Sequence, residues 1–416
     1  MKTGDLESDS SAGGSLPADL SEGSEIKIQC ENVWKVFGKD ADKIMASPPA
    51  VRTELAQSLR CTIAVREASF EVREGEVFVI MGLSGSGKST IIRCINHLID
   101  PSGGRVVIDG RDLESMSTRE LRRVRQEKMG MVFQNFALLP HRTVLDNAAF
   151  GLEVQKVPKA RRHERAREAL DLVGLSEWFG HYPEELSGGM QQRVGLARAL
   201  ALNPEILLMD EAFSALDPLI RKQMQEEFLK LVAIVRKTIV FITHDLDEAL
   251  KIADRIAVMK DGRIVQVGAP EQIVMAPADE YVAEFVGSVS RTKVVSARNF
   301  MMEPDRWISA EGEDPIAVLN RMRKNNLDSI FVTDAAHRLV GVIDQTRLAK
   351  ALRKGPSHYR PVINTQFPSL SENSNLEDII SEAAQNENPI AVVDEKRKLV
   401  GVISRSRLLD ELSDVI

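Results

Sequence analysis

A chain of 416 residues, 43% hydrophobic and 28% charged, carries enough apolar material for two or three globular domains, which excludes a disordered or fibrous polymer. A formal net charge of −7 argues against a nucleic-acid-binding protein, and no nucleic-acid partner is expected. The longest apolar runs, such as Val77–Met81 and Ile239–Ile242, fall well short of the ~18 residues that span a bilayer, and no basic-then-apolar leader opens the chain, so the cytoplasm is the expected compartment.

Residues 1–24 are rich in Ser, Gly, Asp and Glu and are predicted to form a disordered acidic tail, because they have too little apolar surface to offset their ordering entropy. From 25 to 287 short β-branched runs alternate with helical segments, the pattern of a mostly parallel sheet wrapped by helices. Residues 39–62, with Pro48-Pro49 and an amphipathic stretch, interrupt the opening strands and read as a surface insertion. Cys30, Cys61 and Cys94 have the spacing of neither a metal site nor a disulfide framework.

The segment "VFVIMGLSGSGKSTIIRCINHL" sets an apolar strand before G-x-x-x-x-G-K-S, with a helix after it. Gly82, Ser84, Gly85, Ser86 and Gly87 would wrap backbone N–H groups around phosphates at a helix N-terminus. Lys88 adds a point charge, the Ser89 hydroxyl suits Mg²⁺, and Thr90 supports the phosphates from the same turn. ATP and Mg²⁺ are the expected ligands. After the strand-like "MGMVF" comes Gln134, placed to reach either the Mg²⁺ or the attacking water. "LSGGMQ" then opens a helix with Ser187, Gly188 and Gly189, followed by Gln191. "ILLMDE" ends a second strand in Asp210 and Glu211, at the edge where parallel sheets bind ligands. Asp210 is predicted in the Mg²⁺ shell and Glu211 as the base that polarises water. "TIVFITHD" brings His244 to the same edge, where an imidazole can hold the water in line.

In the last third, "LVGVI" at Leu339–Ile343 returns at Leu399–Ile403, 60 positions later. Ile330, Val332 and Asp334 recur as Ile390, Val392 and Asp394. Two copies, about 296–354 and 358–416, are predicted as helix, strand, turn, strand, helix, packed as a pseudo-symmetric pair within a domain spanning 288–416.

Taken together and in order, the Gly82–Thr90 loop, Gln134, "LSGGMQQ", "LLMDEAFSALD" and His244 resemble the ATP-binding cassette (ABC) ATPases over about residues 26–285. The resemblance implies an α/β fold with a phosphate-loop core sheet and a helical subdomain. It also implies a head-to-tail pair of cassettes, in which Ser187–Gly189 of one chain close over the γ-phosphate held by the other. Those residues offer a hydroxyl, bare backbone N–H groups and a helix dipole, but no lysine to hold a phosphate alone. The family's adenine-stacking aromatic falls on Phe37, with Trp34 as second choice; either ring can also be strand core. One phosphate loop and no inserted coiled coil favour a transporter subunit over the soluble cassettes of translation or repair, with a soluble, non-transport cassette regulator as the alternative of another class.

With its insertion and its repeat, the chain looks like the ATPases that power uptake of glycine betaine and proline-type osmoprotectants; choline, carnitine and histidine remain alternatives. That resemblance implies transmembrane permease subunits, met through the apolar stretch after Gln134. It further implies a solute-binding protein and a peripheral place on the cytoplasmic face of the inner membrane. The repeat is similar to tandem cystathionine-β-synthase-like (CBS) modules. Where such pairs hold a ribose with Ser or Thr and an Asp three residues on, this chain has Asp344 and Arg347, then Ser404 and Arg407. A cyclic dinucleotide's phosphates, or an anionic membrane surface whose pull weakens with salt, would suit the arginines.

Overall fold

The computed structural model describes residues 25–214, 216–235, 237–287, 296–304, 308–310, 313–353, 362–386, 388–394 and 396–409. The predicted tail, Ala215 and Lys354 lie outside them. The chain divides into two units, one ending at Val286 and the other beginning at Gly287, with Val274–Ala276 grouped with the second. Among the described residues no helix is long and apolar enough to cross a membrane.

The first unit is built on two sheets. β1 (Ile26–Phe37), β2 (Thr62–Arg73), β4 (Gly103–Ile108) and β5 (Arg111–Asp112) form an antiparallel sheet in the order β2-β1-β4-β5. β3 (Val77–Met81), β6 (Met129–Val132), β7 (Ile206–Asp210), β8 (Thr238–Thr243), β9 (Arg255–Lys260) and β10 (Arg263–Gly268) form the second, in the order β10-β9-β3-β8-β7-β6. There β10 alone is antiparallel to its neighbour. Every residue of β3, β7 and β8 is buried, as expected of strands covered on both faces. The antiparallel sheet lays Ile28, Val33, Val65 and Phe70 onto Phe78, Ile80 and Val240 in one core, with Phe70 and Phe78 stacked 5.2 Å apart. The single wrapped sheet expected from sequence is therefore two sheets sharing a core. Helices Val144–Ala148, Phe150–Val154, Lys159–Leu172 and Gly188–Ala201 pack together as the helical subdomain.

The insertion is folded, not a loose loop. Helices Ala41–Ala46 and Arg52–Ser58 bury Ile44 and Ala56 against Val36 and Ile63. Arg52 lays its guanidinium over the Trp34 ring at 4.6 Å and donates to the carbonyls of Met45 and Ser47. Trp34 is left only 4% exposed.

In the second unit each copy gains a strand that the sequence did not reveal. β11 (Ile308–Ala310) runs parallel to β12 (Ser329–Thr333), which pairs antiparallel with β13 (Leu339–Asp344). β14 (Ser369–Ser371), β15 (Ile390–Val393) and β16 (Leu399–Ile403) repeat the pattern. Three residues such as "SLS" are too few to show a period of two. The recurring aspartates are turn devices: Asp334 Oδ1 accepts from the N–H groups of Ala336 and Arg338, and Asp394 Oδ1 from those of Lys396 and Lys398. The copies are also crossed. Met302, near the start of the first copy, exchanges both backbone hydrogen bonds with Val402 of the second, and Asn364, near the start of the second, does the same with Val342 of the first. The glycine of each "LVGVI" permits this approach, since a Cβ on Gly341 would lie 2.8 Å from the Asn364 carbonyl oxygen and one on Gly401 2.6 Å from Met301 Sδ.

Candidate functional site

Parallel register brings the chemistry together. β3, β8 and β7 are adjacent, with Met81 opposite Thr243 and Asp210 opposite Ile242, so the residues that follow all three strands leave the sheet at one edge. After β3 the chain turns through Gly82 to Gly87 into helix Lys88–Ile95. Gly87 has φ +103, and a Cβ there would meet the Ala64 carbonyl oxygen at 2.2 Å, so only glycine lets this loop close against β2. Lys88, 4% exposed, donates to the carbonyls of Gly82 and Leu83 at 2.9 and 3.0 Å and lies 3.9 Å from Glu211. Burial pushes its ammonium down from the ordinary lysine value, while Glu211 and Asp210 pull it back up. Ser86 Oγ is buried with no hydrogen-bond partner among the described residues, as suits a cradle for a polyoxyanion.

Ser89 Oγ donates to Asp210 Oδ1 at 2.8 Å, and Arg93 reaches the other carboxylate oxygen at 3.3 Å. A hydroxyl beside a buried carboxylate is the oxygen donor set that Mg²⁺ takes. Glu211 stands at φ +46, an uncommon conformation for a side chain of its size and one that clusters at functional sites. The turn aims its carboxylate at Gln134 Nε2 (3.3 Å) and His244 Nδ1 (3.5 Å). Gln134 also donates to Ser214 Oγ at 3.2 Å. Lys88, Ser89, Gln134, Asp210, Glu211 and His244 thus form one cluster. Ser214, which opens the "SALD" string whose family resemblance sets it beside the catalytic acid, belongs to it as well.

Ser187, Gly188 and Gly189 do not join it: among the described residues no hydrogen bond links them to the Gly82–Thr90 loop. Ser187 caps helix Gly188–Ala201 by accepting from Met190 N–H, and both Ser187 and Gly188 are exposed. Gln191 faces backward, donating to the carbonyls of Pro183 and Leu186, so its amide braces the turn before that helix. Phe37 is 42% exposed at the end of β1, with Lys35 Nζ 5.1 Å from its ring centroid, whereas Trp34 is covered by the insertion. Of the stretch after Gln134, Val144, Ala148, Ala149 and Leu152 are buried in the chain's own core, leaving Phe136, Leu138, Leu139 and Phe150 partly exposed. Its loop is shaped by Asn147, which sequence reasoning missed. Fully buried, Asn147 accepts from Leu139 N–H and donates to the carbonyls of Leu139, Arg142 and Thr143.

Behind His244, Glu248 is 4% exposed and accepts from Gln225 at 3.0 Å. Burial raises its pKa from 4.5 to about 7, against hydrogen bonds from Thr243 and Gln225 that lower it. The folded chain therefore holds a proton that the unfolded chain has released, and stability falls as pH rises from about 4.5 to 7 and stays low above that. Glu248→Gln is expected to stabilise the first unit at pH 8 by up to about 3 kcal/mol and much less at pH 5, read as Tm at both values. An equal shift at both would contradict the assignment.

Residues 65–214 match the family model of the ABC transporter, and residues 286–354 and 360–414 match that of the CBS domain. The glycine betaine transport ATP-binding protein OpuAA of Bacillus subtilis is 49% identical over 390 residues, 93% of each chain. The glycine betaine/carnitine transport ATP-binding protein GbuA of Listeria monocytogenes is 46% identical over 93% of this chain and 98% of its own. ProV of Escherichia coli, from a glycine betaine/proline betaine transport system, is 43% identical over the same shares. Among solved structures, the dimeric MJ0796 cassette of a bacterial ABC transporter matches 58% of this chain and 98% of its own at 34% identity, with a TM-score of 0.50. A dimeric post-hydrolysis state of that cassette, bound to ADP and Pi, matches the same shares at 33% identity and a TM-score of 0.50. With a phosphate loop, a carboxylate pair and a histidine on one sheet edge, and relatives this similar over nearly their whole length, the chain belongs to the ATP-binding subunits of ABC transporters, nucleotide-binding ATPases that here carry a CBS pair.

Proposed function

We propose that the chain hydrolyses ATP to drive import of glycine betaine and proline-type osmoprotectants. The observation that carries this reading is the 49% identity to OpuAA, which runs through 93% of each chain and so takes in cassette and repeat alike. Residues 25–287 are the motor and 288–416 its regulator. Two copies meet head to tail, each bringing the helix end at Ser187–Gly189, where Ser187 and Gly188 are exposed, to the other's Gly82–Thr90 loop, beneath transmembrane permease subunits on the cytoplasmic face of the membrane. A solute-binding protein delivers the cargo to those permeases.

In each site the phosphate loop and Lys88 hold the β- and γ-phosphates, Thr90 supports them, and Phe37 stacks on the adenine. Mg²⁺, held by Ser89 and Asp210 with Gln134 in reach, would neutralise phosphate charge. Glu211 takes the proton of the water that attacks the γ-phosphorus, while His244 and Gln134 keep that water in line as ADP leaves.

Asp344 and Ser404 cap helices, accepting from the backbone N–H groups of Arg347 and Arg407, so neither is set aside for a ribose. That favours control by ionic strength through the basic residues Arg347, Lys350, Lys396, Lys398, Arg405 and Arg407 at an anionic membrane. A second reading, a cyclic dinucleotide, is favoured by a cavity of about 440 Å³ lined by Arg338, Lys396, Arg397 and Phe367. The test is ATPase of the complex reconstituted with permease and binding protein in anionic liposomes, with and without residues 288–416. Glycine betaine should stimulate both forms, but at low salt only the truncated one, because a Debye length of ~10 Å at 0.1 M leaves the membrane attraction in place. Stimulation by a sugar or a metal instead would overturn the cargo. Identical salt responses would remove the repeat as salt sensor.

A further inference from the structure

Arg221 lies in the first turn of helix Pro218–Val235 and, among the described residues, makes no hydrogen bond or ion pair with the phosphate loop. Its Nη2 donates to the carbonyls of Ser214 and Leu216, both at 3.2 Å, and its Nη1 lies 3.9 Å from Asp245 Oδ2. One guanidinium therefore spans two segments that converge on the site. On one side, Ser214 donates its hydroxyl to the Glu211 carbonyl at 2.9 Å and accepts from Gln134. On the other, Asp245 immediately follows His244 and caps helix Leu246–Ile252 by accepting from Glu248 N–H. Gln225, one turn beyond Arg221, steadies the same short helix by donating to Glu248.

An arginine is not a neutral filler here: a cation in the first turn opposes the helix dipole, and Nε is buried with no partner among the described residues, against the two carbonyl bonds and the 3.9 Å approach to Asp245. What the fork does supply is geometry, because its planar donors fix the Ser214–Leu216 turn relative to Asp245.

We propose that Arg221 is a positioning residue for hydrolysis, which holds Glu211 and His244 in register by tying the turn after the one to the residue after the other. The proposal rests on the reading of Glu211 and His244 as the water-activating pair. It predicts a loss in turnover without a loss in nucleotide binding.

The test uses the full chain, with kcat and KM for Mg-ATP and Tm measured for Arg221→Met, Arg221→Lys, His244→Ala, Glu211→Gln and the double variant Arg221→Met/His244→Ala. Arg221→Met should lower kcat by about 10²-fold, the scale of a misplacement near 1 Å, with KM within about threefold and Tm unchanged or higher. Arg221→Lys, whose single ammonium cannot reach the carbonyls and Asp245 from two separate nitrogens, should lie between wild type and Met. In the double variant the losses should fall short of multiplying, because Arg221 acts through His244. A kcat within about twofold of wild type, a Tm that falls in step with kcat, or fully multiplicative losses would each overturn the proposal. If Glu211→Gln hydrolyses ATP normally, the reading of the site fails and takes Arg221 with it; if Glu211→Gln is silent and Arg221→Met is not, Arg221 alone is refuted.

Discussion

Glu211→Gln should lower ATP hydrolysis by about 10³-fold while leaving ATP affinity within about threefold, the range expected when a positioned general base is removed and nothing else moves. The substitution is close to isosteric. A glutamine tolerates φ +46 about as well as a glutamate, and its carbonyl oxygen can still accept from Gln134 at the 3.3 Å now seen. What it lacks is the lone pair basic enough to take a proton from water. Lys88, 3.9 Å away, also loses a carboxylate that competes with phosphate for its charge, so nucleotide binding should not weaken. With chemistry blocked and binding intact, the paired form should accumulate in Mg-ATP and elute earlier on gel filtration. Hydrolysis at the wild-type rate would remove Glu211 as the base.

Ser187→Arg should abolish hydrolysis by a different route. Ser187 is exposed and caps its own helix, so its loss costs that helix about 1 kcal/mol and leaves the Gly82–Thr90 loop of the same chain untouched. Each subunit should therefore still bind ATP, whereas an arginine at the helix end obstructs the partner's nucleotide. The head-to-tail arrangement makes a sharper expectation. Lys88→Ala is silent through its own phosphate loop, but it keeps an intact Ser187. Mixing the two silent variants places both defects in one composite site and leaves the other whole. Random pairing should then recover up to about a quarter of wild-type activity, since half the pairs are mixed and each has one sound site of two. A mixture as inactive as its parts, with ATP still bound, would count against sites built from two subunits.

Much of the site was legible because its parts are short contiguous strings whose backbone setting is local. A buried strand followed by glycines and a helix is visible in "VFVIMGLSGSGKST", and Asp210 and Glu211 announce themselves at the end of "ILLMDE". Trp34 and Phe37 were not separable, because which ring is covered depends on Arg52 and the insertion folding back over β1. Asn147 was missed for a related reason: a polar residue that bonds the backbone of another loop leaves no periodic trace. Gln191 shows the converse, since a motif string placed it but its side chain turns to the preceding carbonyls. In the repeat, identity at a spacing of 60 gave away the pair, while the strands before each helix were too short to register.

The crossing of the two copies has a bearing on how the chain is made. Met302 exchanges both of its backbone hydrogen bonds with Val402, and Val342 does so with Asn364. During synthesis, then, the leading segment of the first copy leaves the ribosome about a hundred residues before the strand it bridges to exists, and that bridge must wait through the translation of everything between. Neither copy can finish alone, so the pair assembles late, in a single step that closes only when the final strands emerge.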